Sequence, residues 1–128
     1  MERTLIVIKP DAVSRNLVGE ILNRFEKDGF AIEAMTMLQF DSQMVRKLYG
    51  QHEGKSFYES NREFITSGPS VLVVLRGENA INRVREMIGK LGLPGTVRGD
   101  YGTVNPKNAI HASDGPVAAL TEIRRFFG

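Results

Sequence analysis

One of the chain's two histidines, His111, stands in the run NAIHASDG (108–115), with an apolar pair before it and small residues behind it. Small neighbours let a bulky substrate come close to the ring, and an imidazole near neutral pH is both a nucleophile and a proton carrier. Ser113, Asp114 and Gly115 followed by Pro116 read as a turn entering a helix, because short polar side chains cap free N–H groups and proline suits the first helical position. His111 is therefore expected just ahead of a helix N-terminus, a region that favours anions. A phosphate-facing histidine there points to phosphoryl transfer through a covalent intermediate. The same pattern also fits a histidine at a strand end satisfied by a backbone carbonyl.

Several other phosphate and metal signatures are absent: the sequence holds no G-x-x-x-x-G-K-[ST], no G-x-G-x-x-G and no H-E-x-x-H. Phosphate binding would have to come from side chains. Lys9, Arg85 and Arg98 are the candidates, and the forked donors of two arginines suit a chain of phosphates better than lysines would. Taken singly, each also fits a solvated surface charge.

The elements that must position these groups follow from hydrophobic patterning. Thr4 to Ile8 is a branched apolar run stopped by Lys9-Pro10-Asp11, as expected of a strand buried on both faces and ending in a turn. Val18, Ile21, Leu22 and Phe25 keep helical spacing up to Asp28-Gly29. A second strand is expected within Phe30 to Phe40. Asp41 then caps a helix carrying Met44, Leu48 and Tyr49, and a short helix covers Phe57 to Ile65. Val71 to Leu75 is a third strand, and Ile81, Val84 and Ile88 mark a helix ending at Gly89, with Arg85 on its exposed flank. Between Gly89 and Asn105 neither period survives, as in a functional loop. Ala109 to His111 is a short last strand, Val117, Leu120, Ile123 and Phe127 are expected to line the inner face of a C-terminal helix, and the methionines at 35, 37, 44 and 87 to fill the core. With the helical insert set aside the order is β-α-β-β-α-β. This predicts an α+β, ferredoxin-like antiparallel sheet with helices packed on one face, in a single domain over residues 1–128.

Composition agrees with a globular protein: 128 residues, 41% hydrophobic and 25% charged. The absence of cysteine excludes disulfides, thiolate metal sites and cysteine nucleophiles. Only four consecutive apolar residues, Leu5 to Ile8, occur near the N-terminus, far short of a signal segment or membrane span, and we expect a cytoplasmic protein. A formal charge of +2 is weak support for nucleic-acid binding, and a small anionic ligand needs only a local cluster of cations. Arg98-Gly99-Asp100 matches a cell-adhesion tripeptide, a role that the lack of a signal segment argues against.

Four motifs, IKPD (8–11), TSGP (66–69), PGTVRGD (94–100) and NAIHASD (108–114), occur together and in order in one family. The chain resembles the nucleoside diphosphate kinases, and the resemblance runs from Glu2 to Phe127. It implies a ping-pong enzyme that moves the γ-phosphate of a nucleoside triphosphate such as ATP onto His111 and then onto a nucleoside diphosphate. Lys9 and Asn108 would contact the sugar hydroxyls, with Lys9 also near the transferred group, while Arg85 and Arg98 would hold the phosphates. Phe57 matches the aromatic on which the base stacks, and Tyr49 the tyrosine beside the phosphate and Lys9. Glu122 with Ser113 matches the pair that fixes the histidine, and His52 is a further possible phosphate contact. Mg2+ would arrive with the nucleotide, with no protein side chain as ligand. A homo-oligomer is implied as well, and neither a membrane nor a nucleic acid is an expected partner.

Three departures from the family bear on these expectations. Lys90 to Leu93 forms a loop about half the usual length, which omits a threonine that touches phosphate and changes a segment used in subunit contacts; Thr96 belongs to the PGT motif and does not replace that threonine. Pro106 stands where glycine is common, and Asn61 stands where a leucine is usual, four residues after Phe57 and on the same helical face. An amide there would bias the enzyme among bases. Two readings of other classes compete: a ferredoxin-like nucleic-acid-binding module, which lacks the aromatic-basic run of an RNA-recognition strand, and an inactive interaction protein, which the retained Lys9, Arg85, Arg98, Asn108, His111 and Glu122 oppose.

Overall fold

The computed structural model describes residues 1–50, 53–55 and 57–128. In chain order the elements are β1 (Glu2–Ile8), α1 (Pro10–Ser14), α2 (Val18–Lys27), β2 (Ala31–Leu38), α3 (Ser42–Tyr49), α4 (Tyr58–Ile65), β3 (Ser70–Gly77), α5 (Ala80–Ile88), α6 (Val97–Tyr101), β4 (Ile110–Ala112) and α7 (Pro116–Phe127). The strands form one antiparallel sheet in the order β2-β3-β1-β4, the ferredoxin-like α+β arrangement expected from the sequence.

Alternation along the two central strands divides the interior into two layers. Ile6, Ile8, Val71, Val73 and Leu75 face α2 and α5 through Ile21, Phe25, Val84 and Ile88. These are the two helices of the βαββαβ unit, and they share one face as expected. The opposite face is also covered, beyond the single helical layer predicted: Leu5, Val7, Leu72 and Val74 pack against Val45 and Leu48 of α3, Tyr58 and Ile65 of α4 and Ile123 of α7. The reason is plain from β1 and β3, whose near-continuous apolar runs leave no face fit for water. Burying one such side chain is worth roughly 1.5–3 kcal/mol.

Local expectations fail where tertiary packing decides. Val117 and Leu120 of α7 are exposed, at 79% and 49%, and the inward face is Ala119, Glu122 and Ile123. Met35 and Met37 of the edge strand β2, opposite Val73 and Val71 on the α2 and α5 face, remain 54% and 59% exposed, whereas Met44 and Met87 pack against the core. Proline starts α7 as expected, but neither Ser113 nor Asp114 caps it: the N-cap is Gly115, without a side-chain hydrogen bond. The aperiodic stretch after Gly89 contains α6, capped by Thr96, whose Oγ1 accepts from Gly99 N at 3.0 Å and donates to Leu93 O at 2.7 Å. Lys9-Pro10-Asp11 opens a short helix with Pro10 in its first turn.

Gly99, next to Arg98, allows no side chain: a Cβ built on it falls 1.7 Å from the backbone oxygen of Leu93. Gly99→Ala must displace that loop backbone, so it is expected to lower stability by about 1–3 kcal/mol, read from the midpoint of urea unfolding; an unchanged midpoint would mean that the 93–99 turn has room to give.

Candidate active site

The site grows from the pairing of β1 with β4, which sets Val7 opposite His111. Lys9 N donates to Ala109 O at 2.8 Å and Ser113 N to Leu5 O at 3.0 Å, so the odd-numbered residues of this segment bond to β1. Opposed residues of an antiparallel pair share a face, which places His111 on the side of α3, α4 and α7. There its ring meets that of Tyr49, at the end of α3, in a T-shaped contact with centroids 5.5 Å apart and planes at 82°. Glu122 of α7 comes within 3.5 Å of Nε2 through Oε1.

Glu122 is itself fixed. The buried Ser113 hydroxyl donates to Glu122 Oε1 at 2.6 Å. The Ser113 side chain is turned to Glu122, and α7 takes Gly115 as its N-cap. The sequence-identified pair thus assembles around the ring from positions nine residues apart.

β4 is an edge strand, and its even-numbered carbonyls point away from the sheet. The two arginines take them. Arg98 donates to Ile110 O from Nη2 at 2.9 Å and from Nε at 3.2 Å, and Arg85 Nη1 donates to Ala112 O at 3.1 Å. Each arginine is therefore anchored to the backbone on one side of His111 by part of its fork, with donors to spare for an anion.

Lys9 is only 6% exposed. Its Nζ donates to Asn108 Oδ1 at 2.9 Å, and Asn108 Nδ2 donates to Asn105 Oδ1 at 3.2 Å. Burial, reinforced by the nearby Arg98 charge and opposed by Asp11, lowers the Lys9 pKa to about 8. Arg98 is shifted down too, by burial and then by Arg85. For His111 the downward shift comes first from burial; Glu122 pulls the other way, and Lys9 and Arg98 add to the decrease. Tyr49 is shifted up, chiefly by burial and secondly by Glu122, so its hydroxyl stays protonated. That buried hydroxyl has no hydrogen-bond partner among the described residues, a state native proteins rarely tolerate without a use for the group.

These side chains open onto two cavities either side of the ring. The larger, about 500 Å³, is lined by Lys9, Tyr49, Phe57, Asn61, Arg98, Asn108 and His111 together with Ser60, Asn105 and Pro106. The smaller, about 250 Å³, contains Arg85 and Glu122 with Tyr49, His111 and Asp114. Arg85 thus does not line the larger cavity. Phe57 precedes α4 and is 45% exposed at the mouth, where a planar base could lie on it. Ser60 and Asn105 were not singled out from the sequence; Ser60's place one turn after Phe57 was the available signal. His52 lies outside the described residues. A third cavity of about 490 Å³, beside α1 and Lys107, is lined by Pro10 and Asp11 of the IKPD motif and by Ser67 to Pro69 of the TSGP motif, but by none of the candidate catalytic or nucleotide-binding residues.

Among the described residues no group of three or more histidine, aspartate or glutamate side chains could hold a metal ion, and no helix is long and apolar enough to cross a membrane. A buried imidazole beside fixed cations, with an aromatic ring at the cavity mouth, is suited to hold a nucleotide by its phosphates.

Comparison with known proteins agrees. The family model for nucleoside diphosphate kinase matches residues 2–128. A nucleoside diphosphate kinase of Methanocaldococcus jannaschii is 50% identical over 98% of this chain and 93% of its own, and one of Methanococcus maripaludis is 48% identical over 100% and 99%. Among solved structures, an Aquifex aeolicus nucleoside diphosphate kinase superposes with a TM-score of 0.94 at 43% identity, covering 99% of this chain and 95% of that one. A Halobacterium salinarum nucleoside diphosphate kinase in complex with CDP gives 0.94 at 38% identity, covering 98% and 87%. By sequence and by fold, this chain belongs to the nucleoside diphosphate kinase family and is a phosphotransferase.

Proposed function

We propose that the chain carries the γ-phosphate of a nucleoside triphosphate, ATP, to a nucleoside diphosphate in two half-reactions through a phosphohistidine at His111. The observation that carries this reading is the setting of the ring. With Nε2 turned to Glu122 as a donor, Nδ1 keeps its lone pair. That nitrogen attacks the γ-phosphorus, the bond to the β–γ bridging oxygen breaks, and the nucleoside diphosphate leaves with the bonding electrons. A second diphosphate then attacks the phosphohistidine, and Nδ1 takes its electron pair back.

The surroundings suit that chemistry. The transition state of phosphoryl transfer is loose, with charge spread over peripheral oxygens, so alignment and fixed positive charge do most of the work. Lys9, Arg98 and Arg85 supply the charge, and the Tyr49 hydroxyl, without a partner among the described residues, is a donor ready for a phosphate oxygen. Lys9 and Asn108, already joined, would share the sugar hydroxyls. Phe57 would stack the base, which favours broad base tolerance because every base has a π face. Mg2+ enters as part of the substrate, held by its phosphates. The CDP bound by the Halobacterium salinarum relative supports a nucleotide as ligand. A homo-oligomer belongs to the same proposal, supported by the exposed Met35 and Met37 on β2, which ends the sheet, as does a cytoplasmic setting, where nucleotides are made and spent.

Incubation with γ-labelled ATP is expected to leave acid-labile, base-stable label on the protein that chases onto added diphosphate; His111→Ala abolishes it while the circular dichroism spectrum stays unchanged, and label surviving in the variant would put the nucleophile elsewhere. The pH profile of kcat/KM carries a second test. Attack needs neutral imidazole, and a pKa held below the ordinary 6.5 keeps the ring neutral to lower pH, so the acid limb has its midpoint under 6.5. The Lys9 charge is lost as pH rises through about 8, which sets the alkaline limb. Glu122→Gln removes the influence that opposes the decrease at His111, so the acid limb moves to still lower pH. At the base, Asn61→Leu is expected to change the ranking of kcat/KM among the diphosphates; an identical ranking removes Asn61 from base selection.

A further inference from the structure

Ala109 has a φ of 75°, in a region that side chains other than glycine rarely enter, and it is fully buried. Across it Ile110 N donates to Asn108 O at 3.0 Å, closing a three-residue turn. With a positive φ at its centre, this is the strained hand of the γ-turn. Such a conformation persists only where its surroundings over-determine it. The turn also separates two working residues: Asn108, bonded to Lys9 Nζ, and His111, two residues after Ala109.

Two bonds anchor it. Ala109 O accepts from Lys9 N at 2.8 Å, an ordinary continuation of the β1–β4 pairing. Ala109 N donates to Asp11 Oδ2 at 3.0 Å, a contact that no strand supplies. Asp11 is seated by the buried Pro10 in the first turn of α1. Its second oxygen, Oδ1, is buried and without a partner among the described residues. The carboxylate thus gives up solvation to hold one backbone N–H.

We infer that Asp11 is a positioning residue: its carboxylate fastens the strained turn at Ala109, which sets the Lys9–Asn108 pair and the His111 ring onto one cavity. The inference rests on reading His111 as the phosphate carrier. What Asp11 supplies in this role is an acceptor at a fixed place, and its negative charge near Lys9 is incidental.

That distinction makes the inference testable by the rate of His111 phosphorylation at saturating γ-labelled ATP. Asp11→Ala is expected to slow that step about tenfold or more, since small misplacements of reacting groups are costly. Asp11→Asn keeps an acceptor oxygen and stays within about threefold of wild type. Asp11→Ala combined with Ala109→Gly recovers most of the loss, because glycine takes a positive φ without the clamp. A wild-type rate in Asp11→Ala, an Asp11→Asn as slow as Asp11→Ala, or a glycine variant that recovers nothing would each overturn it. Where Asp11→Ala shows no cooperative thermal transition, Asp11→Asn decides: a rate near wild type supports the clamp and a tenfold loss refutes it. A wild-type chain that takes no label on His111 would instead sink the functional reading itself.

Discussion

The pairing of β1 with β4 is the constraint on which the site depends. With Val7 opposite His111, one register decides three things. It turns the imidazole to the face where α3 and α7 bring Tyr49 and Glu122. It brings the end of β1, with Lys9, beside Ala109 and Asn108. It also leaves the Ile110 and Ala112 carbonyls on the free side of an edge strand, where Arg98 and Arg85 bind them. A slip of one residue would send the ring to the opposite face and leave both guanidinium groups without their anchors.

The cations so assembled are poorly matched with one another. Lys9 and Arg98 are shifted toward losing their protons by burial and by neighbouring positive charge, and the carboxylate next to them is committed to holding a backbone N–H. No acidic side chain pairs with Lys9 in a short contact among the described residues; its hydrogen-bond partner is an amide oxygen. Such frustration is tolerated because the rest of the sheet is well packed, and an anion entering the cavity would relieve it. The neutral hydroxyl of Tyr49, without a partner among the described residues, fits the same description.

The second helical layer is what turns this edge of the sheet into a pocket. α3, α4 and α7 are needed on hydrophobic grounds, to cover Leu5, Val7, Leu72 and Val74. The same helices carry Tyr49 and Glu122, and Phe57 lies at the start of α4. Core burial and site assembly therefore use one set of contacts. The ring of His111 is held by an element, α7, whose own inward face includes a charged residue where a simple amphipathic helix would place an aliphatic one.

Much of this protein was written locally in its chain. Branched runs at 4–8 and 71–75 specified the central strands, helical spacing specified α2 and α5, and the motifs around Lys9, Arg98 and His111 named the chemistry. Those features depend on near neighbours and on periods that a sequence displays directly. Which residues of α7 face inward, why Ser113 serves Glu122 and not the helix end, why Met35 and Met37 stay exposed and why Ala109 takes a left-handed φ depended on groups as far as 98 residues away, as in the bond from Ala109 N to Asp11. Only the folded chain decided them, because burial and hydrogen-bond satisfaction are properties of what lies opposite a residue, and sequence neighbours do not specify that.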